Sequence, residues 1–365
     1  MASRIKVLIV DDSVVVRRML VSMLESEPEV EVVGWAASGL SALQKLTLLD
    51  PDLVLLDVMM PDMDGIKTVR RMRLTHPTMP VIMCSSLTES GADTTLRALA
   101  AGATDHLAKP GPGDDEVDRF REELVGKVLA LGAARQTPSA ADAVEVDKTL
   151  APPSPLTMRR AVIQALAIGC STGGPNALAD LFASLPGDLP VPIFIVQHMP
   201  TLFTKILADR LTACSRVHVV EATHGMPIEP GRGYIAPGDF HLKVGRANGG
   251  VIALTTQEAP EHSCRPAVDV LFRSLARVYR DGVLACVLTG MGRDGASGAQ
   301  DLVRAGSKVL AQSAETCVIP SMPAAIVEAR LADKVLHLGG MADEIVTRIQ
   351  RSHAAPERLR AQGER

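Results

Sequence analysis

Aromatic side chains are scarce in this chain: one Trp, two Tyr and six Phe among 365 residues. So few rings offer no base-stacking platform, and a net charge of −4 offers no phosphate-neutralising face, so nucleic acid is not an expected partner. Long apolar runs are missing too. Stretches such as Val283 to Leu288 fall far short of the ~20 residues that span a bilayer. Met1 to Arg4 lead within a few positions into Val7-Leu8-Ile9-Val10 and two aspartates, without the apolar stretch and small-residue cleavage site of a signal peptide. A cytoplasmic protein without membrane insertion is expected, as a monomer. Six cysteines (84, 170, 214, 264, 286, 317) form no C-x-x-C pair, which points to free thiols rather than disulfides or zinc ligands.

What the chain does contain is two successive α/β alternations. Short β-rich runs (Ile5 to Val10, Val30 to Gly34, Leu53 to Leu56, Val81 to Cys84, His106 to Ala108) alternate with helix-period segments in the first. In the second, strand candidates fall at 161–168, 191–197, 217–220, 233–236, 251–255, 283–289, 307–311 and 335–338. Between them the composition turns to Ala, Pro, Ser and Thr without apolar period. The expectation is an α/β chain of two doubly wound parallel-sheet domains. These occupy 1–125 and 160–352, with a helix end and flexible linker over 126–159 and a frayed tail over 353–365.

Asp11 and Asp12 follow the first strand run, Asp57 the third, Ser85 the fourth and Lys109-Pro110 the fifth. In an open parallel sheet those carboxyl ends form the ligand crevice. Crowded carboxylates repel, and an oxygen-only set suits Mg²⁺. Asp57 can then act as nucleophile toward a phosphoryl group, with the Lys109 ammonium and the Ser85 hydroxyl balancing charge on its oxygens. Ser86 competes with Ser85 for that role.

Gly169-Cys-Ser-Thr-Gly-Gly174 is a G-x-S-x-G stretch between an apolar run and a helix-like segment opened by Pro175, where a sharp turn would lift the Ser171 hydroxyl clear of a sheet. His198 ends the next apolar run, and a right-handed crossover would set the two strand ends side by side. Asp294 lies in a glycine loop after Val283 to Thr289. Nucleophile, base and orienting carboxylate would thus stand on three strand ends, with backbone N–H groups at Thr172 and near Met291 as oxyanion-hole candidates. Cys170 is a rival thiol, discounted because neighbours on a sharp turn point apart. The order Ser…His…Asp is not that of the α/β-hydrolases.

Through Asp11-Asp12, Asp57-Val-Met-Met-Pro-Asp-Met-Asp-Gly65, Ser85 and Lys109-Pro110, residues 4 to 125 resemble a response-regulator receiver domain, a flavodoxin-like fold. The resemblance implies that Asp57 accepts a phosphoryl group from a chemotaxis histidine kinase, with Asp11, Asp12, Asp57 and the backbone of Met59 holding Mg²⁺. Where receivers commonly carry Tyr or Phe, three before the lysine, this chain has His106. Through Gly169 to Gly174, Gln197-His198-Met199, Ser263-Cys-Arg-Pro266 with Val268-Asp269, and Leu288 to Gly295, residues 160 to 350 resemble the Rossmann-like methylesterase domain of the chemotaxis protein-glutamate methylesterases. That implies a serine esterase without a cofactor at its own site. It would act on glutamyl methyl esters of chemoreceptor cytoplasmic helices and also deamidate glutamines, with the receiver covering the Ser171 cleft until phosphorylated.

Three other readings compete. Gly290-x-Gly292-x-x-Gly295 satisfies the dinucleotide fingerprint, with Glu315 twenty positions beyond, although Asp294 would stand where a pyrophosphate must approach. A phosphorylation-gated binding protein with a vestigial esterase fold is opposed by the intact Ser171, His198 and Asp294. A transcriptional regulator lacks a basic helix-turn-helix.

Overall fold

The structure, a computed structural model, describes residues 3–86, 88–111, 113–136, 161–247 and 249–363. Most of the expected linker, from 137 onward, lies outside the described residues. The first alternation forms strands β1 (Ile5–Val10), β2 (Val30–Ala36), β3 (Leu53–Asp57), β4 (Val81–Ser85) and β5 (Asp105–Ala108). Its helices are α1 (Val14–Glu25), α2 (Gly39–Leu49), α3 (Gly65–Thr75), α4 (Glu89–Ala100) and α5 (Asp114–Gln136). The strands pair in parallel in the order β2-β1-β3-β4-β5. Polar N-caps start the helices: Ser13, Asp64 and Thr88 each accept an N–H of the first turn.

The second alternation forms a seven-stranded parallel sheet in the order β14-β13-β12-β6-β7-β9-β8. These strands are β6 (Ala165–Cys170), β7 (Ile193–Gln197), β8 (His218–Glu221), β9 (Arg232–Ile235), β12 (Val283–Val287), β13 (Lys308–Gln312) and β14 (Lys334–Leu336). Helices α6 (Gly174–Ser184), α7 (Phe203–Cys214), α8 (Val268–Tyr279), α9 (Ala296–Arg304), α10 (Ser321–Glu328) and α11 (Leu338–Gly363) flank it. Central strands β6, β7 and β12 are buried at every position, as a sheet covered on both faces requires.

One strand candidate departs from the parallel pattern. The run at 251–255 is not part of the parallel sheet: β10 (His241–Ala247) and β11 (Gly250–Thr256) pair antiparallel as a separate two-stranded ribbon. Ala247 opposes Gly250, and Gly249 takes φ +80° in a turn too short for any crossover. Helix α11 is tied down up to the expected tail boundary, since Ser352 Oγ accepts the Ile163 N–H at 3.1 Å and His353 Nε2 meets the Ile163 carbonyl at 2.8 Å.

The two halves touch. The His106 ring, 3 % exposed, stacks on Phe203 of α7 with centroids 4.9 Å apart. Asn176 of α6 donates to the Ala103 carbonyl and accepts from Arg210. Ile319 joins the apolar cluster containing Leu124 and Val128 of α5. No helix among the described residues is long and apolar enough to cross a membrane.

Candidate functional sites

At the carboxyl edge of the five-stranded sheet, Asp11, Asp57, Ser85 and Lys109 converge from strands that are neighbours in space though distant in sequence. Lys109 Nζ donates to Asp11 Oδ2 at 2.7 Å and to Asp57 Oδ1 at 2.5 Å, while Asp57 Oδ2 accepts the Met59 N–H at 3.0 Å. Burial raises the Asp57 carboxyl above its ordinary value, with Lys109 opposing. Lys109 is itself raised: burial pulls it down, but the hydrogen bonds of Asp11 and Asp57 outweigh that. Asp12 is exposed beside them, as is the Met59 side chain. Ser85 ends β4 with its Oγ buried and without a hydrogen-bond partner, whereas Ser86 is exposed with its Oγ toward Thr88. An orphaned buried hydroxyl beside the Asp57 carboxylate fits an incoming oxyanion. The all-oxygen donors of Asp11, Asp12 and Asp57 fit a hard divalent cation.

The second cluster stands where β12, β6 and β7 end side by side. Cys170 pairs with Gln197, so Ser171 and His198 follow on adjacent strand ends, and the His198 N–H donates to the Cys170 carbonyl. Gln197 Nε2 braces the turn from the other side, donating to the Ser171 carbonyl at 3.0 Å. Gly173 holds φ +77°, and a Cβ on Gly290 would lie 2.9 Å from Ser171 Cβ, so the two glycines let the loops close on the serine. Cys170 Sγ is directed to the Val196 carbonyl inside the sheet.

Asp294 is 1 % exposed and held by three donors: the Val268 N–H at 2.6 Å, the Asp269 N–H at 2.9 Å and His198 Nε2 at 2.8 Å. Burial would raise its carboxyl, but His198 and these N–H groups bring it below its ordinary value. Burial likewise would lower His198, yet the hydrogen bond to Asp294, assisted by Cys264, lifts it to about 10. His198 Nδ1 does not face Ser171. It faces Cys264 Sγ at 3.5 Å. The N–H groups of Thr172 and Met291 have no acceptor among the described residues. A Cβ on Gly126 would lie 3.2 Å from Met291 Cε, so α5 rests against that loop.

The sequence reading missed the layer behind the base. His262 Nε2 meets Asp269 Oδ2 at 2.9 Å, and Asp269 Oδ1 accepts the Gly298 N–H at the start of α9. His262, Asp269 and Asp294 offer ligand atoms within 4.8 Å of one another. Protein donors already reach each of these carboxylate oxygens, so the cluster reads as an anchoring network. Asp269 also fills the helix terminus that a pyrophosphate would need, and Glu315 is exposed beside His337, which removes the support for the dinucleotide reading.

A CheB methylesterase family model matches residues 166–345, and a response regulator receiver domain model matches residues 7–121. A protein-glutamate methylesterase/protein-glutamine glutaminase of Nocardioides sp. is 46 % identical over 352 residues, covering 95 % of this chain and 96 % of that protein. The chain belongs to this family. A second relative of the same name, from Halalkalibacterium halodurans, is 43 % identical over 96 % of this chain and 100 % of its own length. The crystal structure of the Thermotoga maritima CheB methylesterase catalytic domain superposes with a TM-score of 0.50 at 40 % identity, covering 51 % of this chain and 98 % of that one.

Proposed function

We propose that the chain is a cytoplasmic, monomeric, phosphorylation-activated esterase that hydrolyses glutamyl γ-methyl esters on chemoreceptor cytoplasmic helices, releases methanol and deamidates selected glutamines. The observation that carries the reading is the His198–Asp294 pair at 2.8 Å on the strand end beside Ser171. In the working state His198 Nδ1 turns from Cys264 to the Ser171 hydroxyl and takes its proton as Oγ attacks the ester carbonyl. The oxyanion is met by the Thr172 and Met291 N–H groups. His198 returns the proton to the departing methoxide, and water then cleaves the acyl-serine by the same route. A glutamine side chain gives the same acyl intermediate with ammonia leaving.

In the receiver, Asp57 attacks the phosphoryl group presented by a histidine kinase, Lys109 neutralises charge on its oxygens, and the Ser85 hydroxyl donates to one of them. Asp11, Asp12, Asp57 and the Met59 carbonyl would hold Mg²⁺, which when bound neutralises the crowded oxygens. The brake is the packing of α5 against the Met291 loop and of His106 on Phe203; a new dianion beside Lys109 biases that interface toward release. A vestigial binding protein would have no use for a buried carboxylate held by three donors against an imidazole.

The test is methanol release from methylated receptor membranes by wild type and Ser171→Ala, each with and without a small-molecule phosphodonor. Release by wild type, stimulated by the donor and absent in Ser171→Ala, is expected; equal release by both proteins overturns the assignment.

A further inference from the structure

His198 has a second partner that the esterase chemistry does not use. With Nε2 on Asp294 at 2.8 Å and Nδ1 on Cys264 Sγ at 3.5 Å, thiol, imidazole and carboxylate form one continuous chain. In such a chain the imidazole stands where it can take the thiol proton as the sulfur attacks. Cys264 is set apart from the other cysteines. Cys84, Cys170 and Cys286 are buried, and burial pushes the Cys84, Cys286 and Cys317 thiols up to about 12. Cys214 is exposed but directs its sulfur at the Leu211 carbonyl. Cys264 is partly exposed and borders an imidazole.

We propose that Cys264 is an oxidative modification site through which a peroxide switches the esterase off. His198 Nδ1 takes the thiol proton, and the sulfur attacks one peroxide oxygen. The S–O bond forms as the O–O bond breaks, and the leaving oxygen carries away the imidazolium proton. Cys–SH and HOOH become Cys–SOH and water, the sulfur losing the two electrons that the peroxide gains. The new oxygen sits against Nδ1, the nitrogen that has to reach Ser171, so the base is blocked while Ser171 and Asp294 remain intact. Two equivalents of a small thiol reverse the change, giving Cys–SH, a disulfide and water.

The loss of activity rests on the proposed esterase function; the modification itself does not. Full-length wild type, Cys264→Ala, Cys264→Ser and Cys214→Ala are treated with hydrogen peroxide, trapped with a sulfenate-specific carbon nucleophile and mapped by peptide mass. Methanol release is followed for each protein relative to its own untreated sample. The adduct is expected on Cys264, with wild-type and Cys214→Ala release falling at least tenfold and recovering with dithiothreitol, while the Cys264 variants keep their own rates. The serine variant decides the matter if the alanine variant folds poorly. Labelling confined to Cys214, or parallel inactivation of the Cys264 variants, overturns the proposal. Should untreated protein release no methanol, the esterase reading fails while the adduct map still judges the thiol.

Discussion

Two buried aspartates at the carboxyl ends of parallel strands, Asp57 and Asp294, are prepared for opposite tasks. Asp57 has one lysine and one backbone N–H, and burial leaves its carboxyl raised. Asp294 has two backbone N–H groups and an imidazole, and its carboxyl is lowered. The first is under-coordinated, with an orphaned Ser85 hydroxyl nearby, and can form a new bond. The second is saturated, with His198 among its donors. Position in the sheet therefore does not fix how a carboxylate ionises; the number and kind of donors around it do.

The largest effect expected to break this contrast is at Asp294. Asp294→Asn keeps the shape but offers His198 an amide, and kcat for methanol release should fall about 10³- to 10⁴-fold with KM little changed. A drop below tenfold would make Asp294 a structural cap only. Asp57→Asn should leave the basal rate near wild type and remove the several-fold stimulation by a phosphodonor, measured in the same assay. Retained stimulation would show that phosphoryl transfer lies elsewhere.

The interface comes next. Phe203→Ala removes the surface on which His106 stacks, and the unphosphorylated protein should then release methanol several-fold faster. An unchanged basal rate together with a normal response to the phosphodonor would remove this contact from the brake.

Strand-end logic groups Asp11, Asp57, Ser85 and Lys109 at one sheet edge and Ser171, His198 and Asp294 at another because parallel sheets bring their carboxyl ends together whatever the sequence separation. It could not see Cys264, His262 and Asp269 as neighbours of the base. His262 and Ser263 take left-handed backbone (φ 51° and 59°) in a loop without period, so no pattern of spacing marks where their successor points. Cys264 and Asp269 stood in the motifs Ser263-Cys-Arg-Pro266 and Val268-Asp269, but neither motif says that they lie beside His198. The antiparallel pairing of β10 and β11 was not legible for a related reason, since an apolar run reports burial and not the direction of its partner. His106 was legible as a departure from the receiver pattern, but its stacking on Phe203 joins elements from opposite halves, which no local reading contains.

The smallest effect separates the two aspartates by pH. His198 is raised to about 10 in the folded protein from an ordinary 6.5. Its proton therefore binds more tightly in the folded state, and the stability this contributes is complete below pH 6.5 and is lost as pH rises toward 10. Asp294 is lowered, so its contribution is present above 3.8 and disappears only as pH falls below that value. Of these two groups, only His198 changes its contribution between pH 6.5 and 9. Wild type should show a lower urea midpoint at pH 9 than at pH 6.5, and His198→Gln a smaller decline, while methanol release by wild type rises over the same interval because only the neutral imidazole accepts the Ser171 proton. Since Cys264 helps to hold the proton on His198, Cys264→Ala should move the acid limb of that rate profile to lower pH. An unmoved limb would mean that Cys264 takes no part in holding the proton and that the saturated Asp294 carboxylate sets the titration of His198.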